Sequence, residues 1–152
     1  PDLAALYERE GKPESAIALY EKAQQRQPQV DAVANNLAML LVTYRTDKAS
    51  LGRARELTAK FEQSDSGALL DTLGWVRFKL GETQDAIALL ERAVTRAPDS
   101  RVIRFHLAMA QLQAGLSDQA RSNLETVLKD ESVFAGRDEA RAALDGLKRR
   151  VG

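Results

Sequence analysis

The chain holds 152 residues, 44% of them hydrophobic, and its 22 basic and 22 acidic side chains give a formal net charge of zero. Zero net charge removes the electrostatic case for nucleic acid or an anionic membrane surface as a partner. The lack of cysteine excludes disulfides and thiolate metal sites while leaving the redox compartment open.

No apolar run is long enough to span a bilayer, so no direct membrane insertion is expected, and no signal peptide is visible. The chain opens at Pro1 rather than at an initiator Met, which reads as an excised fragment or a processed product whose parent carries its own targeting signals or none.

Ala, Leu, Glu, Arg, Gln and Lys dominate, and apolar residues recur at helical spacing, as in Ala86, Ile87, Leu89, Leu90, Ala93 and Val94. In chain order the pattern predicts helices near 2–10, 13–26, 31–45, 51–63, 67–80, 83–96, 101–114, 117–130 and 137–150. Gly11, Gly81 and Gly115 stand where a left-handed C-cap ends a helix, and Pro28 and Pro98 stand where a helix cannot continue. The run from Thr43 to Ser50 breaks the regularity. It predicts a lengthened helix or a protruding loop, with Ser50 or Asp47 capping the helix that follows. The final stretch places Ala140, Ala143, Leu144 and Leu147 on one stripe with charge opposite, the pattern of a capping helix; the Lys148-Arg149-Arg150 cluster at its end complements the macrodipole.

The punctuation is periodic. Gly81 to Gly115 and Ala86 to Ala120 are both steps of 34 residues. Gly11 to Gly81, Ala16 to Ala86, Tyr20 to Leu90, Ala23 to Ala93 and Pro28 to Pro98 are all steps of 70, two periods plus two residues. A period in this range marks a solenoid of helical hairpins.

Residues 67–100, with Leu73-Gly74, Phe78, Gly81, Ala86, Leu90, Ala93 and Pro98, resemble a tetratricopeptide repeat, and Leu107-Ala108, Gly115, Ala120 and Leu124 repeat the motif. Residues 1–30 match from mid-motif onward. The resemblance implies an all-α, right-handed α-solenoid and a single domain over 1–152. Its repeats would lie at about 1–30 (truncated), 31–66 (with the lengthened turn), 67–100 and 101–134, with a capping helix at about 137–150. Asn35-Asn36-Leu37-Ala38 and Asp71-Thr72-Leu73-Gly74-Trp75-Val76 further resemble strings of bacterial tetratricopeptide proteins, some of them envelope lipoproteins linked to exopolysaccharide and exosortase systems. Cytoplasm and envelope both stay open as locations.

The resemblance also implies where a partner sits. The first helix of each hairpin lines a concave face, and its exposed positions are Asn35, Met39 and Val42, then Asp71, Trp75 and Phe78, then Phe105, Met109 and Leu112. Seven of these nine are apolar. The family's carboxylate-gripping subgroup needs Lys, Arg and Asn here, whereas this chain offers only Asn35, Lys79 and Arg104 nearby, so an acidic-tail ligand is not expected. Trp75, the only tryptophan, follows Gly74 and turns away from the second helix, which makes it the expected anchor beside Met39 and Met109. Asn35 is expected to bond a ligand backbone and Asp71 to add charge selectivity, while Phe78 and Leu112 are shared between the groove and packing under the next hairpin.

Nothing in the sequence points to chemistry. Glycines occur singly at helix ends, not in a phosphate loop. His106, the only histidine, has no second ligand at helical spacing and reads as a helix residue near groove or core. Asp130-Glu131 and Asp138-Glu139 lie beside helix termini. The expected function is a non-catalytic protein-interaction scaffold without cofactor or metal, binding a peptide or helix with apolar side chains. The rival readings are a segment of a longer solenoid, a homo-oligomer whose groove is filled by another copy, and an accessory domain of an enzyme or of secretion or polysaccharide machinery.

Overall fold

A computed structural model describes residues 2–151. Among them are nine α-helices: α1 (Leu3–Arg9), α2 (Pro13–Arg26), α3 (Asp31–Tyr44), α4 (Lys48–Thr58), α5 (Gly67–Lys79), α6 (Thr83–Arg96), α7 (Arg101–Gln113), α8 (Ser117–Val127) and α9 (Arg137–Val151). A short 3₁₀ turn, Ala59–Phe61, extends α4. No strand occurs among the described residues, so the fold is all-α.

The periodic glycines close their helices in one manner. Gly11, Gly81 and Gly115 have φ of 72°, 82° and 81°, a conformation that costs a residue bearing a Cβ but not glycine. Beyond each, the chain folds back on its own helix: Glu82 N donates to Arg77 O at 2.9 Å, Leu116 N to Gln111 O at 2.9 Å, and Lys12 N to Tyr7 O at 2.8 Å. These bonds satisfy carbonyls that a helix end otherwise leaves without a partner. Helix starts are capped where the sequence offers an oxygen. Ser66 accepts from Leu69 N, Ser100 from Ile103 N and Asp2 from Ala4 N.

The expected irregularity at 43–50 resolves without a protruding loop. α3 runs on to Tyr44, Arg45 is extended, and Asp47 rather than Ser50 caps α4, accepting from Ser50 N at 2.9 Å. Ser50 itself is buried. The extra residues are absorbed because α4 starts at Lys48, earlier than the expected 51.

Contacts gather the chain into two compact units, Pro1–Gln63 and Ser64–Gly152. In the first, α1 packs on α2, α2 on α3 and α3 on α4, with Ile17, Leu37, Leu41, Leu57 and Phe61 in the interior. In the second, α5 packs on α6, while α7 contacts α5, α6 and α8. Gly74 is where α5 and α6 come closest, since a Cβ there would stand 2.7 Å from Leu90 Cγ. α9 packs on α8 as the capping reading expects, sinking Ala140, Leu144 and Leu147 into a cluster with Phe105, Leu124 and Leu128. Each such leucine, fully buried, contributes about 1.5–3 kcal/mol.

Candidate functional site

The nine positions expected to line a groove form three stripes with the same i, i+4, i+7 spacing, which puts each trio on one face of α3, α5 or α7. The structure leaves six of them half-buried: Asn35, Met39, Trp75, Phe78, Met109 and Leu112. Val42, Asp71 and Phe105 depart from the expected exposure, at 3%, 6% and 6%. These three side chains are therefore buried and not presented to solvent.

Asp71 and Phe105 are buried for identifiable reasons. Asp71 Oδ1 stands 2.7 Å from His106 Nδ1, and His106 is itself only 7% exposed. A carboxylate so placed serves α7 and is not free to select a ligand's charge. Phe105 sits among the residues brought by α9 and by the segment before it, where Phe134 meets its ring at a centroid distance of 6.4 Å. Gly136 presses on the same ring from that segment. Its φ is 99°, and a Cβ there would fall 2.4 Å from the Phe105 ring. Met109, Leu112 and Ala143 pack around the edge of this cluster.

Trp75 is held in an aromatic stack. Phe78 lies nearly parallel to it at 4.7 Å and His106 at 3.9 Å, each with an interplanar angle of 18°. The ammonium of Lys79 stands 5.0 Å from the Trp75 ring centre and 6.0 Å from that of Phe78. These stacks commit part of the indole's face to its own chain and fix its rotamer, which makes the remaining surface a rigid plate. Of the cations near the expected groove, Arg104 is occupied elsewhere, donating to Asn123 Oδ1 at 3.0 Å and Pro98 O at 3.3 Å.

On α3, the side-chain oxygen of Asn35 is buried without a hydrogen-bond partner. Met39 lines a cleft of about 270 Å³ with Asp2, Glu8, Tyr20, Asn36, Leu40 and Thr43. The sequence placed His106 near groove or core but did not show its pairing with Asp71, and it gave no role to Phe134 or this cleft. The available signal for His106 was register: it follows groove position Phe105 directly and lies one repeat plus one residue beyond Asp71.

Among the described residues no group of three or more His, Cys, Asp or Glu is disposed to hold a metal ion. No described helix is long and apolar enough to cross a membrane.

Residues 77–133 match a family model described as tetratricopeptide repeat, and residues 2–30 match a second model with the same description. Together they take in more than half of the chain. The chain belongs to the tetratricopeptide repeat family. A 74-residue stretch, 47% of the chain, is 35% identical to a TPR repeat-containing protein of Pseudomonas aeruginosa and covers 12% of that protein, so the match spans about an eighth of the relative's length. A thermophilic TPR protein of Thermus thermophilus superposes with a TM-score of 0.80 at 19% identity, over 99% of this chain and 80% of that one. MamA gives a TM-score of 0.69 at 20% identity, over 100% and 86%, and YrrB 0.63 at 23% identity, over 97% and 73%. These structural likenesses establish the tetratricopeptide solenoid as the fold. None of these matches carries the narrower likeness to envelope lipoproteins.

Proposed function

We propose that this tetratricopeptide chain is a non-catalytic scaffold that binds a peptide or helix through apolar side chains. The family's fold is that of a protein-interaction scaffold, and tetratricopeptide proteins generally bind protein partners without catalysis. The observation that carries the finer reading is the aromatic plate of α5, in which Trp75 and Phe78 stack at 4.7 Å yet remain half-buried, not sealed. A large aromatic surface already locked in one rotamer loses little conformational entropy on meeting a ligand, and its remaining apolar area gains by being covered. Met109 and Leu112 extend the apolar character on α7, with Met109 able to adapt to a ligand's shape. On α3, in the first unit, Asn35 and Met39 are half-buried at the corresponding positions. Within the second unit, Asp71 and Phe105 lie buried against the plate's neighbours, Asp71 on His106 and Phe105 among the α9 residues. YrrB, similar in fold, is described as a TPR protein with an unusual peptide-binding site, which accords with a peptide ligand here.

The test is a peptide array probed with the chain, followed by calorimetric titration of its strongest apolar binder against Trp75→Ala and Met109→Gln. Both substitutions are expected to weaken binding about tenfold, while circular dichroism keeps the helical signal. Met109→Gln carries the test if loss of the stacked indole loosens α5. Unchanged affinity in Met109→Gln and in a folded Trp75→Ala overturns the assignment.

A further inference from the structure

The cleft beside α3 has a hydrogen-bonding polarity of its own. Tyr20 donates its hydroxyl proton to Asp2 Oδ2 at 3.3 Å and accepts from Asn36 Nδ2 at 3.3 Å. Thr43 donates its proton to Met39 O at 2.7 Å. Both hydroxyl donors of the wall are therefore spent within the chain. What remains is mainly acceptors: the Asn36 carbonyl oxygen, the free lone pairs of Asp2, and Glu8, whose carboxylate has no hydrogen bond or ion pair among the described residues. Among the described residues no ion pair takes up Asp2 or Glu8, while Lys12 pairs with Glu10, Arg45 with Glu14 and Arg53 with Glu21. The Tyr20 phenol registers the surroundings: burial pushes its pKa up, and the negative charges of Asp2 and Glu8 add to the rise. Apolar surface completes the lining, with Leu40 buried at its base and Met39 half-buried beside it.

We infer that this cleft is a subsite for a cationic side chain, a lysine or arginine of the bound protein partner. Lys and Arg are the charged side chains that offer only donors, on an apolar stem. The stem would lie on Met39 and Leu40, and the head would reach Glu8, Asp2 and Asn36. A neutral polar side chain would leave several of these acceptors unmatched, and a carboxylate would be repelled. The inference rests on the scaffold reading only in taking its occupant from a peptide; the residues are those of α1, α2 and α3.

The experiment is a nitrogen-15 NMR titration of the chain with Nα-acetyl-lysine methylamide and Nα-acetyl-arginine methylamide, against the uncharged Nα-acetyl-norleucine methylamide. Expected are salt-sensitive shifts at Tyr20, Asn36, Met39 and Thr43 with the cationic probes and not with norleucine. Glu8→Gln, on an exposed helix surface, is expected to weaken the cationic probes about fivefold, the upper range for an exposed ion pair. Asp2→Asn provides a second variant. Equal shifts with norleucine, shifts elsewhere only, or responses unchanged in both variants overturn the inference. The same titration in Trp75→Ala separates the two proposals, since the cationic subsite is expected to survive there whether or not the aromatic plate binds a partner.

Discussion

Asp71 Oδ1 and His106 Nδ1 lie 2.7 Å apart, both buried, joining α5 to α7 directly beneath the ring of Trp75. Removing one partner leaves the other buried and unsatisfied, which costs more than the bond contributes when both are present. Asp71→Ala is therefore expected to destabilise the chain by about 1–3 kcal/mol. Pairing Asp71→Leu with His106→Phe is expected to recover part of that loss. Urea unfolding followed by the fluorescence of Trp75, the sole tryptophan, measures both, and equal stability of Asp71→Ala and the parent chain would refute the coupling.

Gly136→Ala is expected to be damaging for two separable reasons. The φ of 99° is one that alanine rarely adopts, and the added Cβ meets Phe105. Backbone strain of this kind costs about 1–3 kcal/mol, with the steric contact added. Phe105→Leu in the same chain would relieve the contact but not the strain. A double-mutant cycle by thermal denaturation should then show a favourable coupling.

Gly74→Ala tests the hairpin crossing. The new methyl would press on Leu90, which is fully buried and has no open side to move into. Overpacking of this sort costs about 1–3 kcal/mol. Leu90→Ala as a second change should restore room for the methyl, so the pair should cost less than the sum of the singles.

Acid stability should depend on the segment before α9. Ser132 N donates to Asp130 Oδ1 at 2.9 Å, and the Arg101 guanidinium donates to Oδ2 at 2.7 Å. Led by the Ser132 bonds, these hold the Asp130 carboxyl at about 2 instead of 3.8. A carboxyl whose pKa is depressed by folding contributes stability that is present above 3.8 and lost as pH falls toward 2. Carbon-13 titration should find the Asp130 midpoint near the lower value. Asp130→Asn should flatten the acid limb of stability over that window, and an ordinary midpoint would sink the assignment.

The hairpins could be read from sequence because their markers act locally. Gly81 and Gly115 end helices through bonds to their own last turn, and Gly74 and Ala86 leave room for a neighbour at fixed offsets. The run at 43–50 was harder, since a helix that simply continues to Tyr44 and restarts at Lys48 has no distinctive residue pattern beyond the Asp47 cap. The stripes expected to line a groove follow from spacing, but their exposure does not. Whether Phe105 is covered depends on Phe134, from the irregular segment before α9, and on Leu144 and Leu147 of α9, whose docking on Phe105 no repeat register marks. The role of Asp71 likewise depends on a histidine 35 residues away.

The self-contained turns at Gly11, Gly81 and Gly115 carry a last implication. Each settles its loose carbonyls within a few residues and asks nothing of the hairpin that comes next. Sequence on either side is thereby freed from holding the turn. It also makes the 34-residue step from Gly81 to Gly115 a natural unit of exchange, one that can be duplicated or transplanted with its ends already finished.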